Sequence, residues 1–375
     1  MITDVLGTHV QAALAGWRHQ GLLSLAAVDE ICRSPAGCLP AEITSRFGFE
    51  CRLGDQEPTG DFLVRAGAHP EEWSTLEHFA AGLSGSPWTG IRSLLAERAA
   101  LKNLWLEYDL AAPQNEASVP SVFLGPNGLS VAHAIETLRD RPLSPAVRCT
   151  LHNVVAALPK KAKLFQAGVM CSRPDSPLRL CLLGPEFVPS DDTPSVPDFL
   201  AAVHWPADPT PVTELLRSFP PLIDHVALDL DLREDGSLAP RLGIEIYQDP
   251  NRTPVDRMVA LVRQLTSSAL CTPEKADGLL AWNGITHERL HPNLWPRSLV
   301  AARVIRGGGQ HSTFCRWLHH VKLVYEPGES LAAKAYLAVS HAFLADSNIR
   351  EAQGRLTAED QAEPVRVPHV PPNFL

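Results

Sequence analysis

Apolar and polar residues alternate along two runs near the C-terminal end, 319–325 and 332–340, which a Glu-Pro-Gly-Glu sequence separates. Alternation with a period of two is typical of β-strands and Pro-Gly is typical of a turn, so the runs predict a β-hairpin. Because successive strand side chains point to opposite faces, Val321 and Leu323 share one face, and His320 and Lys322 share the other. One face of this hairpin therefore suits packing, and the other carries polar and charged groups.

The same hairpin pattern occurs five times, with helical periodicity between the copies. The hairpins begin near residues 47, 104, 164, 225 and 320. Asp235-Gly236 marks the turn of the fourth copy, since Asp-Gly is a strong hairpin signal. Apolar residues at helical spacing predict helices within 1–31, 70–101, 129–158, 196–222 and 253–282, and near 341–353. The chain is thus predicted to repeat a unit of helix, hairpin and helix.

The repeat predicts how the apolar strand faces are buried. A lone hairpin cannot cover its own apolar face, but five hairpins with helices outside can close into a ten-stranded antiparallel β-barrel. The apolar faces then pack on the helices, and the polar faces line a lumen. We therefore predict an α/β protein of five repeated α-β-β-α units, as a single domain over residues 1–350. Helices within 1–45 precede the first hairpin, and the Pro-rich tail 351–375 has little apolar sequence to bury.

Composition and charge narrow the classes of function. Of 375 residues, 45% are hydrophobic and 20% charged, as in a globular protein with a substantial core. The net charge of −9 provides no general attraction to nucleic acid or to an anionic membrane. No run of about 18 apolar residues occurs, and the eight cysteines show no zinc-binding spacing. We expect a soluble cytoplasmic protein with reduced thiols, and the pattern indicates no oligomeric state.

Five helix–hairpin–helix units resemble the ABBA prenyltransferases of the PT-barrel fold. In length the chain is similar to the bacterial indole (dimethylallyltryptophan synthase type) members of that family. The sequence Gly48-Phe49-Glu50-Cys51 is similar to the start of the family's first strand, whose glutamate takes the proton of the aromatic substrate. The resemblance therefore implies that Glu50 is the catalytic base. Arg65, followed by His69-Pro70, is similar to the family's arginine that meets the diphosphate.

Other positions depart from the family pattern. The second hairpin ends in Ser121–Pro126, which lacks the family's lysine and has Phe123 where a tyrosine is usual. The third hairpin keeps only Arg179 of an Arg-x-Lys-x-Tyr series. In the fifth hairpin Tyr336 matches a shielding tyrosine, and Lys334 is an additional cation.

The resemblance implies a prenyltransferase of secondary metabolism, which moves an allylic prenyl group from its diphosphate to an aromatic or peptide acceptor. A prenyl diphosphate carries about three negative charges and requires cations that hold it as it leaves. The candidate cations are Arg65, Arg179, Arg241, Lys322 and Lys334. The allyl cation requires aromatic faces around it. The candidate aromatic side chains are Trp105, Phe123, Tyr247 and Tyr336.

Acidic residues also fall on the predicted lumen faces, and their role stays open. The candidates for binding the acceptor are Glu107, Asp229, Asp231 and Glu245. Asp229-x-Asp231 places two carboxylates on one strand face, which is compatible with Mg²⁺, although the family resemblance requires no cofactor and we assign no metal site. The same carboxylates could instead pair with Arg241, Lys322 and Lys334 or face solvent.

Three functions are therefore compatible with the sequence. Prenyl transfer is the first. The second is other chemistry on the same barrel, with a divalent metal held by the acidic lumen. The third is a non-catalytic protein that binds a natural-product intermediate or peptide. The Gly307–Gly309 run lacks the Lys-Ser/Thr of a phosphate-binding loop, and no nucleophile-elbow pattern supports hydrolase chemistry.

Overall fold

The computed structural model describes residues 4–110, 119–173, 176–189, 196–219, 222–248 and 255–349. The helices within these ranges are α1 (Leu6–Ala13), α2 (Leu25–Arg33), α3 (Pro70–Ala81), α4 (Trp88–Leu95), α5 (Val131–Arg139), α6 (Pro145–Ala156), α7 (Val196–Ala202), α8 (Thr210–Arg217), α9 (Val255–Ser267), α10 (Pro273–Leu280) and α11 (Arg297–Arg306). The strands are β1 (Arg46–Arg52), β2 (Asp61–Ala66), β3 (Leu101–Tyr108), β4 (Ser121–Pro126), β5 (Lys163–Val169), β6 (Leu178–Gly184), β7 (His225–Leu232), β8 (Leu238–Tyr247), β9 (Gly284–His287), β10 (Gln310–Tyr325) and β11 (Ala332–Ala345). Among these helices, none has the length and apolar character needed to cross a lipid bilayer.

The strands form one sheet in the order β11-β1-β2-β3-β4-β5-β6-β7-β8-β10-β9, and β10 also pairs with β11. That second pairing joins the two sides of the sheet, so that β1 to β8, β10 and β11 make a closed ring. The short strand β9 adds to β10 antiparallel, with Thr313 opposite His287. The predicted ten-stranded antiparallel barrel with helices around it is confirmed.

Contacts divide the chain into two compact units, and the prediction of a single domain over 1–350 stays a prediction. Unit 1 takes its described residues from 1–76, 249–319 and 335–375, and unit 2 from 77–248 and 320–334. The predicted tail at 351–375 lies outside the described residues.

Unit 1 is built on a cluster of aromatic rings. Phe49 of β1 packs on Phe62 of β2 with ring centroids 5.6 Å apart, and edge-on against Trp282 at 5.9 Å. Trp17 meets the other side of Trp282 at 5.2 Å. Since the Trp282 side chain is fully buried, its indole N–H requires an acceptor, and it donates to the Trp317 carbonyl at 3.1 Å. This cluster covers one face of the first hairpin and leaves the other face to Glu50 and its neighbours.

Unit 2 shows the alternation of strand faces that the sequence predicts. Leu182, Leu228 and Ile244 lie side by side across β6, β7 and β8 and are fully buried. One residue along each strand the side chains point to the opposite face, where Asp229 lies opposite Gly243. The apolar set makes the core of the unit, and the polar set occupies the lumen face.

Two segments differ from the sequence-based expectations. The helix predicted near 341–353 is wrong over 341–345, because β11 continues to Ala345. His341 N–H donates to the Ser45 carbonyl at 3.1 Å, and the His341 ring packs on Phe314 at 5.2 Å, so tertiary contacts override the local pattern. The stretch before the fifth hairpin, to which the sequence analysis assigns no helix, contains α11, and β10 begins at Gln310, ten residues before the predicted start near 320.

The segment 70–101, predicted as helical, also differs, because it forms two separate helices. It yields α3 and α4, followed by the start of β3 at Leu101. Gly82, Gly85 and Pro87 occupy the break, and Gly85 adopts a φ of 83°, which side chains disfavour. Within the α4–α5 contact, a Cβ on Gly90 would lie 2.3 Å from the Leu138 carbonyl oxygen, so the helices approach this closely only with glycine there.

Candidate functional site

Glu50, the predicted base, lies on the lumen face of β1 in unit 1. Its side chain is buried, and the half-buried Tyr336 hydroxyl on β11 donates a short hydrogen bond to Glu50 Oε2. A carboxylate that accepts from a phenol is held in one orientation and keeps its second oxygen for other partners. Glu50 and Tyr336 are therefore in contact, and the roles predicted for them stay predictions.

Two arginines face each other on the same hairpin. Arg46 of β1 is the register partner of Arg65 of β2, and Arg46 shares the β1 face of Glu50 because two and four residues along a strand return to the same side. Burial, and then the charge of Arg65, lower the pKa of Arg46 to about 9. Like charges directly opposite each other in a sheet are unfavourable, so this position favours an anion.

Trp317 and Glu72 interact with the two arginines. The Arg46 guanidinium lies over the Trp317 ring at 5.5 Å from the ring centroid. Burial lowers the pKa of Arg65, and the charge of Glu72 opposes that effect. Glu72 itself accepts backbone N–H groups from Ser45 at 2.6 Å and from residues 67 and 68 at 2.9 and 2.7 Å. Its charge is therefore shared with three amide donors. We call Arg46 and Arg65 the arginine pair.

In unit 2 three of the predicted cations, Arg179, Arg241 and Lys322, are bound to carboxylates. Arg179 of β6 donates from Nε and Nη2 to the two Asp231 oxygens at 2.7 and 2.9 Å, a bidentate pair that is almost fully buried. Arg241 Nη1 lies 3.3 Å from Asp231 Oδ2. Burial by itself would raise the pKa of Asp231, but the charge and hydrogen bonds of Arg179, together with Arg241, lower it to about 2.

Lys322 of β10 continues this network. Its ammonium donates a short hydrogen bond to Asp229 Oδ2 and lies 3.6 Å from Glu245 Oε1. Tyr247 donates to Glu245 Oε2 at 2.5 Å, and His320 Nε2 lies 3.6 Å from Glu245 Oε1. Burial and the charge of Glu245 raise the pKa of Asp229, against the opposing effect of Lys322.

These contacts bear on the roles predicted for the acidic residues. Asp229, Asp231 and Glu245 pair with the barrel's own cations, which is the alternative that the sequence left open. Their assignment to an acceptor stays a prediction, as does that of Arg179, Arg241 and Lys322 to the diphosphate. We call the six residues from these paired positions the ion network: Arg179, Asp229, Asp231, Arg241, Glu245 and Lys322.

Glu107 and Asp109 of unit 2 share an arginine that the sequence did not indicate. Arg173 Nη2 lies 3.8 Å from Glu107 Oε1, and its Nε lies 3.6 Å from Asp109 Oδ2. Ser172 donates to Asp109 at 2.5 Å and lies 2.7 Å from the hydroxyl of Ser121. Arg173 lies in the turn after β5, where no periodicity assigns a side chain to a face. Lys334, also in unit 2, is half-buried on β11.

Three of the four predicted aromatic residues lie beside the ion network. Phe123 packs with Cys181 and Met170, and Trp105 and Phe165 cover this cluster. Tyr247 packs with Leu183 and Ala227, and Phe165 covers that cluster as well. Phe165 was missed because a register shift between residues 164 and 166 changes the phase of alternation on β5. The fourth predicted aromatic residue, Tyr336, belongs to the Glu50 pair in unit 1.

The carboxylates do not assemble into a metal site in the part of the chain that the structure describes. No group of three or more His, Cys, Asp or Glu side chains is placed there to hold a metal ion. Asp229 and Asp231 instead accept from Lys322 and Arg179.

No protein-family model matches the chain, and no curated protein matches it. The crystal structure of NotF in complex with brevianamide F and DMSPP aligns at 10% identity with a TM-score of 0.46, over 86% of this chain and 90% of that one. The crystal structure of 5-dimethylallyltryptophan synthase from Streptomyces coelicolor aligns at 14% identity with a TM-score of 0.42, over 89% and 97%. At these TM-scores neither structure assigns a role to any residue of this chain.

The structure therefore separates the predicted site residues into two groups. Glu50, Arg65 and Tyr336 belong to unit 1, as does Arg46, which the sequence analysis did not propose. The other predicted residues belong to unit 2: the ion network, the aromatic residues beside it, Glu107 and Lys334. The sequence did indicate the position of Arg46, because a residue four positions before Glu50 on a strand lies on the same face.

Proposed function

We propose that the protein transfers a prenyl group from an allylic diphosphate to an aromatic or peptide acceptor. The diphosphate binds to the arginine pair, and Glu50 accepts the proton that the acceptor loses. The observation that supports this proposal is the position of Arg46 directly opposite Arg65, on the strand pair that also holds Glu50.

An anion with about three negative charges suits the arginine pair. Two guanidinium groups opposite each other present forked N–H donors to phosphoryl oxygens, and a bound diphosphate would offset their mutual repulsion. Glu72 shares its charge with backbone amides, so it neutralises the two arginines only in part. In the ion network of unit 2, three cations are paired with carboxylates.

In the proposed reaction the arginine pair stabilises the leaving diphosphate, and Glu50 accepts the proton. The bond between the prenyl carbon C1 and the diphosphate oxygen breaks, and the electron pair leaves with the diphosphate, which the arginine pair stabilises. An electron-rich carbon of the acceptor attacks C1, and the proton from that carbon passes to Glu50. The Tyr336 hydroxyl orients the Glu50 carboxylate, and its ring offers an aromatic face to the allyl cation. Four residues along β1, about 13 Å, separate Arg46 from Glu50, a span that a prenyl diphosphate and an acceptor can fill.

Thermal melting with prenyl diphosphates tests the proposal. Dimethylallyl diphosphate is expected to raise the melting temperature, and Arg65→Ala is expected to abolish this shift. The matched control is Arg52→Ala, at the exposed end of the neighbouring strand β1, which is expected to keep the shift. If prenyl diphosphates of every chain length leave the melting temperature unchanged, the proposal is wrong.

A non-catalytic binding protein is the second candidate. It is favoured by the ion network, since the cations predicted to hold a leaving group are paired with carboxylates. Such a protein would bind its ligand equally well after Glu50→Gln and would show no turnover in product analysis by mass spectrometry. Detection of a prenylated acceptor with the unaltered protein, and its loss in Glu50→Gln, decides for the enzyme.

A further inference from the structure

The helix α11 exposes the side that a helix normally buries. Arg297, Ala301, Val304 and Ile305 have the spacing i, i+4, i+7 and i+8, which places them on one face. All four are exposed, with Val304 at 66% and Ile305 at 86%, and no residue of α11 is buried. We call these four residues the α11 face.

Exposed apolar side chains concentrate in and just before this helix. Of the seven large hydrophobic residues that are exposed in the described part of the chain, four lie between residues 290 and 305. They are Leu290, Leu294, Val304 and Ile305. Single exposed apolar residues are ordinary, but such a concentration is typical of an interaction surface.

The stretch of sequence that contains α11 is basic, although the carboxylates of Asp4 and Glu288 contact the helix at Ser298 N–H and Arg303. Between Glu288 and Glu326 the sequence contains no aspartate or glutamate, although the net charge is −9. The helix carries three arginines and no lysine. Protein interfaces favour arginine over lysine, because its planar fork binds a carboxylate through two hydrogen bonds.

Contacts on the other side hold the helix in place. Arg303 Nε lies 2.7 Å from Glu288 Oε1, and the Arg306 guanidinium lies 4.6 Å from the centre of the Phe343 ring. Both partners belong to unit 1, as α11 does. These anchors lie on side chains outside the α11 face, so the exposed face belongs to an ordered helix.

We propose that the α11 face docks an acidic segment of a partner protein that also carries apolar side chains. Val304 and Ile305 provide the apolar centre, and Arg297 provides a bidentate site for a carboxylate at its edge. A lipid surface fits less well, because α11 contains no Trp, Tyr or Phe to anchor at the membrane interface.

Fluorescence anisotropy with a labelled amphipathic peptide of glutamate and leucine tests the proposal with the full-length protein. At about 0.15 M salt we expect saturable binding. Replacing leucine by serine in the peptide, or glutamate by lysine, should weaken binding at least about tenfold. Ile305→Ser and Arg297→Glu should each weaken it about fivefold or more, with unchanged circular dichroism. The matched controls Val155→Ser and Arg217→Glu alter an exposed apolar and an exposed cationic residue elsewhere, and should bind normally.

Three outcomes would overturn the proposal. The first is equal binding of the peptide by Ile305→Ser and by the unaltered protein, or no binding at all. The second is sedimentation with phosphatidylserine-containing vesicles that Ile305→Ser abolishes, in the absence of peptide binding, which would assign the face to lipid. The third is a concentration-dependent dimer in sedimentation velocity that Ile305→Ser dissociates, which would assign it to a second copy of the chain.

Discussion

Arg46 lies directly opposite Arg65 across the β1–β2 pair, and each guanidinium is at least partly buried. Two buried like charges in register cost folding free energy, so an anion that binds both should stabilise the protein. A negatively charged ligand at this pair would therefore offset the repulsion between the two arginines.

Removing the charge of Arg65 should abolish anion binding but leave the stability of the ligand-free protein nearly unchanged. We expect Arg65→Gln to change the free energy of unfolding by less than about 1 kcal/mol without ligand, since it also relieves repulsion. Sodium pyrophosphate should stabilise the unaltered protein against urea and should leave Arg65→Gln unaffected. Equal stabilisation of both proteins would place the anion elsewhere. Arg52→Gln serves as the control.

Glu50 should affect turnover without affecting diphosphate binding. Because a general base contributes about 10²- to 10⁴-fold, Glu50→Gln should lower kcat by that factor and leave the pyrophosphate stabilisation intact. Tyr336→Phe removes the donor but keeps the ring, so its loss in kcat should be smaller. Glu42→Gln, an exposed residue near β1, should be neutral. If Glu50→Gln keeps full turnover, another residue takes the proton.

Asp231 should stabilise the fold through Arg179. Asp231→Asn leaves a buried guanidinium without its carboxylate, so it should cost about 3–5 kcal/mol in urea unfolding at neutral pH. The pKa of Asp231 is about 2 in the folded protein and about 4 when unfolded, so its stabilising effect is complete above pH 4 and is lost as the pH falls through 2. The difference between Asp231→Asn and the unaltered protein should narrow over this range. A constant difference would show that the charge of Asp231 is not responsible, and Glu214→Gln on the surface should show no difference at all.

His341 should make the protein acid-sensitive in a higher pH range. Burial, together with the charges of His9 and Arg306, lowers the pKa of His341 to about 3, and its Nε2 lies 2.8 Å from the Ser312 hydroxyl. Between about pH 6.5 and 3 the unfolded chain binds the proton that the folded chain excludes. Stability should therefore fall as the pH is lowered, by up to about 1.4 kcal/mol per pH unit.

The corresponding test compares unfolding at several pH values. His341→Gln keeps a hydrogen-bonding side chain but does not titrate, so its pH dependence should be flatter between pH 6.5 and 4. The exposed His19→Gln should follow the unaltered protein. Parallel curves for His341→Gln and the unaltered protein would contradict the assignment.

The fold could be predicted because its determinants are local. Leu228, Asp229 and Leu230 alternate within one strand, and Asp235-Gly236 closes the turn, with Gly236 at a φ of 85°. Repetition of such hairpins then limits the ways in which the apolar faces can be buried.

The candidate site could be predicted only in part, because its contacts depend on register and on distant partners. The sequence indicates that Arg179 and Asp231 lie on lumen faces, but not that they are register partners on neighbouring strands. The bulge on β5 reverses the alternation at Phe165, and the position of Arg46 opposite Arg65 follows from the length of the first hairpin loop. Such relationships emerge from pairing between strands.

Calorimetric titration with dimethylallyl diphosphate tests the central claim, that the arginine pair binds an allylic diphosphate, most directly. The unaltered protein and Arg52→Gln should bind it with one site, and Arg46→Gln and Arg65→Gln should lose binding while keeping their circular dichroism spectra. Lys322→Gln, in the ion network, should retain binding if it folds. Retained binding in both Arg46→Gln and Arg65→Gln, with loss in a folded Lys322→Gln, would contradict the claim and would assign the diphosphate to the ion network.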